Sequence, residues 1–201
     1  MSNARGSAEH PPRSFRHRVV ELMARWYVFI FLKLYGLGKI AGGQFYRRGR
    51  LPEDVASLRL GEAPGFELAW TFMGYSFAYI LFIGMAEVVG AWLLLWDRTK
   101  LLGVAVLLPV MINIIVFDAI FFPGDEYGAL ASATIYTLLL GLILICNKER
   151  VSQAVRALMV PRQHRLPEGQ RARTVIAALI VMGLLFAVDQ LLVNLFGQGR
   201  G

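Results

Sequence analysis

Cysteine and histidine are scarce in this sequence, and their positions exclude several kinds of redox centre. Cys146 is the single cysteine, so the chain cannot form an internal disulfide, a CxxC redox pair or a cysteine metal cluster. The 3 histidines, His10, His17 and His164, all lie outside the apolar runs. A haem held by two histidines within a membrane is therefore excluded, and we expect neither haem nor metal.

Catalytic motifs are also missing. The sequence shows no nucleophile–base pair and no nucleotide-binding motif. The segment Gly36-Leu37-Gly38-Lys39 lacks the GxxxxGK[ST] spacing of a phosphate loop and follows no predicted strand. We therefore expect no enzymatic activity from this chain on its own.

Charged residues are few, and apolar residues are correspondingly many. Of 201 residues, 17% are charged and 56% hydrophobic, whereas a soluble domain has about 25% charged residues. The mean hydropathy is +0.53. The net charge of +7 comes from basic residues that flank apolar runs, so we expect anionic lipid headgroups, and not nucleic acid, as the counter-charge.

The apolar runs predict an all-α, polytopic membrane helix bundle. Because about 20 apolar residues span a bilayer, we predict five spans, at 27–45, 75–96, 101–122, 128–145 and 175–196. A signal peptide is the competing interpretation of the first span, but its internal lysines favour a retained helix. We predict a disordered tail at 1–14 and a four-helix membrane domain at 15–146. A basic amphipathic connection on the cytoplasmic side follows at 147–174, and a fifth transmembrane helix with a short tail at 175–201.

The connections between these spans have their own patterns. From Phe15 the pattern is helical, and over 15–26 apolar residues are interleaved with charged ones, which predicts an interfacial lead-in to the first span. Pro52-Glu53-Asp54 is a good helix start and predicts a short surface helix. Pro109 lies inside the third span and predicts a kink there.

Basic residues predict the orientation of the chain. With five spans, one side of the membrane holds 14 lysines and arginines and the other holds 5. Lys33 and Lys39 lie within the first span. Because basic loops stay in the cytoplasm, the N-terminus is expected inside and the C-terminus outside.

Several polar residues fall inside the predicted spans. Lys39, Glu87 and Asn113 lie about 20, 14 and 19 Å from the inner ends of their helices. We therefore predict that Lys39 and Glu87 pair and that Asn113 hydrogen-bonds nearby. Asp189 is a possible second acid, and Asp118 is expected at the outer interface. The pair has three interpretations: it fixes the helix register, Glu87 is a ligand or proton site, or both residues face water.

Small and aromatic residues give weaker signals. Gly38 with Gly42, and Ala86 with Gly90, have the spacing that permits close helix approach. The aromatic residues that bracket the second span either anchor it at the interfaces or form a wall for a flat ligand; they are Trp70, Tyr75, Tyr79 and Trp92.

Three segments together resemble a known family. They are GLGKIAGGQF at 36–45, FIGMAEVVGAWLLL at 82–95 around Glu87, and LLGVAVLLPVMINIIVF at 101–117 after a basic turn. Over 27–146 the chain resembles the DoxX-like family of small bacterial and archaeal membrane proteins. The resemblance implies a four-helix bundle and Glu87 as a core polar residue. The family takes its name from an archaeal membrane subunit associated with thiosulfate:quinone oxidoreductase, and most members have no assigned activity. The basic 147–174 segment and the fifth span depart from that pattern.

Three functions remain open from the sequence. The first is a non-catalytic or quinone-interacting subunit of a redox assembly in the bacterial inner membrane, with quinone as the possible cofactor. The second is an ion-coupled carrier of a small solute. The third is a structural or assembly subunit of a larger membrane complex, which would bind other membrane subunits or a second copy of itself.

Overall fold

All regular elements in the described part of the chain are α-helices. The computed structural model describes residues 15–122, 127–159 and 168–196, so the predicted tail at 1–14 lies outside the described residues. The helices are α1 Phe15–Ala41, α2 Glu53–Ala56, α3 Gly65–Gly74, α4 Phe77–Leu93, α5 Lys100–Phe121, α6 Tyr127–Cys146, α7 Lys148–Met159 and α8 Glu168–Phe196. The chain divides into two compact units, 1–155 and 156–201, and α8 belongs to the second.

Several of these helices are long and apolar enough to cross a membrane. Three qualify alone, at Lys100–Phe121, Gly128–Cys146 and Gln170–Leu192. The pair α3 and α4 qualifies together but is bent by 91° at the break between them. The described residues thus contain three to four candidate spans, and the first of the five predicted spans is not among them.

Helix α1 begins where the helical pattern begins and ends earlier than predicted. It runs without a break over 27 residues from Phe15, so the lead-in at 15–26 and the first predicted span are one helix. Gly42 ends the helix because it adopts a φ of 97°, and its N–H bonds back to the carbonyls of Gly38 and Lys39. The predicted end at Phe45 is therefore wrong.

The predicted second span is broken near its start. Ser76 has extended backbone angles, φ −117° and ψ 123°, which separate α3 from α4. At Gly74 an added Cβ would lie 1.9 Å from the carbonyl oxygen of Tyr46, so only glycine allows α3 to pack against the loop after α1. The straight helix covers Phe77–Leu93, and not 75–96.

Helices α1, α4, α5 and α6 form a four-helix bundle around an apolar core. Helix α1 packs against α4 and α6, and α5 packs against the same two helices. The residues at the centre of the core are fully buried and include Val28, Leu32, Ala91, Leu94, Leu107 and Leu140. Pro109 lies inside α5, which continues through it.

The contact between α1 and α4 uses glycines outside the predicted pairs, whereas Gly90 of the second predicted pair lies against α5, where its Cβ would be 2.6 Å from Leu107. A Cβ on Gly36 would lie 2.7 Å from the carbonyl oxygen of Gly84, and one on Gly84 would lie 2.8 Å from that of Gly36. Gly38 has nothing within 4 Å, so the predicted packing site at Gly38 and Gly42 is wrong. The backbones of α1 and α4 can meet only because both positions lack a side chain.

Candidate ligand cavity

A cavity of about 570 Å³ opens at one end of the bundle. This cavity end is where α1 and α5 end and where α4 and α6 begin. The walls are mostly apolar and include the aromatic residues Phe45, Trp70, Tyr79, Phe117, Phe122 and Tyr136. The polar lining residues are Lys39, Gln44, Glu87, Asn113, Asp118 and Ser132. A cavity of this size and composition fits a small organic ligand.

The predicted pair between Lys39 and Glu87 is present in this cavity. Lys39 Nζ donates a hydrogen bond to Glu87 Oε1. The two side chains are 7% and 1% exposed, respectively. An ion pair buried this deeply is desolvated, so removing one partner takes away the hydrogen-bonded counter-ion of the other.

The local sequence explains why these two side chains meet. Lys39 lies three residues after Gly36 on α1, and Glu87 lies three residues after Gly84 on α4, so each shares a helix face with a contact glycine. The helices are antiparallel, which places the two Cα atoms about 9 Å apart along the axis. Side chains lean toward the N-terminus of their own helix, so Lys39 and Glu87 lean toward each other.

Asp118 is a second carboxylate in the same cavity. It lies on α5 and is 5% exposed, so it is buried within the protein, and its expected position at the outer interface stays a prediction. The charge of Lys39 acts on it. Asp118 continues the buried stripe of Val104, Leu107 and Met111 on α5, and this helical spacing was the sequence signal for its burial.

The cavity therefore has more carboxylates than ammonium groups. Among its lining residues, two carboxylates, Glu87 and Asp118, face the single ammonium of Lys39. Within the described residues, Glu87 Oε2 and Asp118 Oδ2 are buried without a hydrogen-bond partner. Buried polar atoms are normally paired, so these two oxygens mark a place where a cation or a proton would be stabilised.

Only some of the other predicted site residues line the cavity. Asn113 lines the cavity, but its predicted hydrogen bond to the pair is absent from the described residues. Tyr79 lines the cavity, whereas Tyr75 is 59% exposed and lies under the guanidinium of Arg48. The remaining candidates are not lining residues: Trp92 packs against Phe29 and Trp96, and Asp189 lies on α8 in the second unit.

Trp70 lines the cavity, as the aromatic-wall interpretation predicts. It lies on helix α3, which the break at Ser76 separates from the rest of the predicted second span. Its ring packs against Phe66, Phe117 and Phe122. The fold of α3 back over the cavity depends on the break at Ser76, which no pattern in the sequence marks.

A second buried polar cluster lies at the opposite, hairpin end of the bundle. Lys100 Nζ donates to Glu21 Oε1, and Asn147 Nδ2 donates to the same oxygen at 3.1 Å. Arg25 donates to Asp97 Oδ1 at 2.8 Å and to the carbonyl oxygen of Leu94 at 2.6 Å. The cluster thereby joins the start of α1 to the α4–α5 hairpin and the end of α6.

Sequence reasoning missed this hairpin-end cluster. Glu21 and Arg25 were assigned to an interfacial segment, although they share a helix face with the core residues Val28 and Leu32. Burial raises the pKa of Asp97, but hydrogen bonds and charges from Lys100 and Arg25 lower it more, so the pKa lies below its ordinary value. Because its hydrogen bonds and ion pairs connect different helices, we interpret the cluster as structural.

Three to four candidate spans in an all-helical chain define an α-helical membrane protein. Over 93 residues, 46% of this chain, the sequence is 39% identical to YwoB of Bacillus subtilis (strain 168), which is described as uncharacterized. The matched part covers 56% of that relative, so the chain spans about half of its length. No family model matches the chain, and no solved structure matches it.

Proposed function

We propose that this protein is a membrane carrier that binds a small solute in the cavity and couples its binding to an ion or a proton at the buried carboxylates. The observation that carries this proposal is the charge imbalance: two carboxylates and one ammonium line one buried space. Acidic and basic residues inside a membrane are costly, and they mark solute or proton pathways. A purely architectural pair would not need the second carboxylate, Asp118.

The proposal includes a topology of five spans in a bacterial inner membrane. We propose that α1 also crosses the bilayer, because its buried charges all have partners outside α1: Glu21 pairs with Lys100 on α5, Arg25 with Asp97 in the α4–α5 turn, and Lys39 with Glu87 on α4. Charged residues lower the mean hydropathy of this helix, but pairing offsets most of the free-energy cost of burying them. The spans would then be α1, the bent pair α3–α4, α5, α6 and α8, with a DoxX-like core in the first four.

The basic residues support an orientation for this topology. Arg98, Lys148 and Arg150 lie in or beside the hairpin end. Under the positive-inside rule that end faces the cytoplasm, and the cavity end faces outward. A solute would therefore enter the cavity from outside the cell.

Cysteine accessibility tests the carrier proposal. On a Cys146→Ala background, Ala86→Cys places a thiol on α4 in the cavity wall. The matched control, Ala91→Cys on the same helix, lies in the core and is 0% exposed. The measurement is the rate at which a membrane-impermeant methanethiosulfonate reagent modifies each cysteine in right-side-out and in inside-out vesicles.

A carrier exposes its site to both faces in turn, so the thiol at 86 should react from both sides while the thiol at 91 stays protected. Reaction at 86 from the outer face alone would exclude a carrier and leave a fixed binding site. No reaction from either face would contradict ligand binding in the cavity.

A second function is supported by the aromatic wall. Trp70, Phe117 and Phe122 form adjoining rings in the cavity, and the DoxX-like resemblance favours a quinone-interacting subunit of a redox assembly. Lys39 would donate a hydrogen bond to a quinone carbonyl. This function predicts that a short-chain quinone quenches Trp70 fluorescence, that Trp70→Phe abolishes the quenching, and that Lys39→Met weakens binding.

A further inference from the structure

We propose that the solute of this cavity is a small organic cation, an amine or quaternary ammonium with an aromatic or apolar body. The proposal rests on the proposed function, because it names the class of solute that the same cavity would take. The cation would be held by the free carboxylate oxygens of Glu87 and Asp118 and enclosed by the aromatic wall.

The arrangement of charge selects a cation. Lys39 occupies only one oxygen of Glu87, and both Glu87 Oε2 and Asp118 Oδ2 are left without partners among the described residues. These side chains are 1% and 5% exposed, so water solvates them little. An anion would be repelled by ionised carboxylates, and a neutral solute would bring no positive charge to these two oxygens.

The walls favour an organic cation over a metal ion. The lining is mainly apolar, and no group of three or more metal-ligating side chains occurs in the residues that the structure describes. The ammonium of Lys39 beside Glu87 would also repel a divalent ion. Aromatic faces attract cations, and Trp70, Phe117 and Phe122 lie together on one side of the cavity.

The volume sets the size of the solute. A cavity of about 570 Å³ holds a molecule of roughly one ring with a substituted ammonium group, since ligand cavities of about 300–1,000 Å³ enclose small organic molecules. Benzyltrimethylammonium has this size and a fixed positive charge. Neopentylbenzene has the same shape without the charge, and benzenesulfonate carries the opposite charge.

Calorimetric titration of the full chain in an uncharged detergent tests the proposal with these three probes. Benzyltrimethylammonium should bind saturably, and neopentylbenzene and benzenesulfonate should bind at least about tenfold more weakly, because one unpaired charge is decisive in a low-dielectric site. Asp118→Asn should weaken cation binding at least about tenfold. Lys39→Met should strengthen it, since it removes the competing cation. Asp97→Asn, an equivalent change at the hairpin end, should have no effect.

The sign pattern separates this proposal from its competitors. Equal binding of the cation and its neutral isostere, or unchanged binding in Asp118→Asn, would overturn the cation proposal while leaving a ligand cavity in place. Weaker binding of the cation in Lys39→Met would also overturn the cation proposal, because it would show that Lys39 helps to hold the ligand. Absence of cation binding in a protein whose residue 86 thiol reacts would overturn the cation proposal and not the carrier.

A second measurement does not require the Lys39 and Asp118 variants to fold. The thiol of Ala86→Cys in the Cys146→Ala background reacts with cationic, neutral and anionic methanethiosulfonates of similar size, and each rate is divided by the rate with free cysteine. The cavity should favour the cationic reagent over the anionic reagent by at least about tenfold. A ratio near one would overturn the cation proposal.

Discussion

Breaking the buried pair between Lys39 and Glu87 should destabilise the bundle to an extent that depends on which partner is removed. Lys39→Met leaves two buried carboxylates, Glu87 and Asp118, with no cation, and we expect a loss of about 3–5 kcal/mol. Glu87→Met leaves Lys39, which can turn to Asp118, so we expect less than half of that loss. The asymmetry follows from the third charge in the cavity.

The double variant completes a thermodynamic cycle. With both partners replaced by methionine, only Asp118 remains, and it can take up a proton, so the loss should be smaller than for Lys39→Met alone. The coupling energy should be at least about 2 kcal/mol. The assay is reversible unfolding by SDS in mixed micelles at neutral pH, followed by far-UV circular dichroism. If the loss in the double variant equals the sum of the two single losses to within about 0.5 kcal/mol, the two residues do not interact.

Three further predictions concern the helix contact and the hairpin end. Gly84→Ala should destabilise the bundle by about 1–3 kcal/mol because its Cβ meets a backbone oxygen, whereas Gly38→Ala should stabilise it by about 0.5–1 kcal/mol; both are measured in the same SDS titration. Lys100→Met should cost about 1–3 kcal/mol, because Glu21 loses its ammonium but keeps Arg25 at 4.0 Å and the Asn147 amide, and a variant as stable as the parent would contradict the cluster. Folding lowers the pKa of Asp97 below its ordinary value of 3.8. The ionised carboxylate therefore contributes to stability above pH 3.8, and this contribution is lost as the pH falls through the pKa of the folded state. Asp97→Asn should therefore be slightly less stable at neutral pH, by under about 1 kcal/mol for so exposed a group, and the difference should vanish in acid; a difference that grows in acid would contradict this sign.

The helical class and the central ion pair could be predicted because they depend on local sequence. Apolar length sets the spans, and residue depth placed Lys39 near Glu87. The bounds of α5 and α6 agree with the predicted spans to within two residues. These features follow from hydropathy and from the fixed rise of a helix.

The remaining features depend on contacts between distant parts of the chain. Charged residues at the start of α1 resemble an interfacial segment until Lys100 and Asp97 are seen to pair with them. The Gly36–Gly84 contact depends on the relative rotation of two helices, which no single helix reveals. The fold of α3 over the cavity depends on the extended Ser76 and on the Gly74 contact.

The arrangement of charge inside the membrane can be measured directly by solid-state NMR in lipid bilayers. With ¹⁵N-labelled lysine and ¹³C-labelled glutamate, the dipolar coupling between Lys39 Nζ and the Glu87 carboxyl carbon reports their separation, and the loss of the signal in Lys39→Met assigns it. We expect strong dephasing, with the two atoms within about 4 Å. A lysine signal that shows no coupling to that carboxyl carbon would contradict the paired charges on which the cavity and its proposed solute depend.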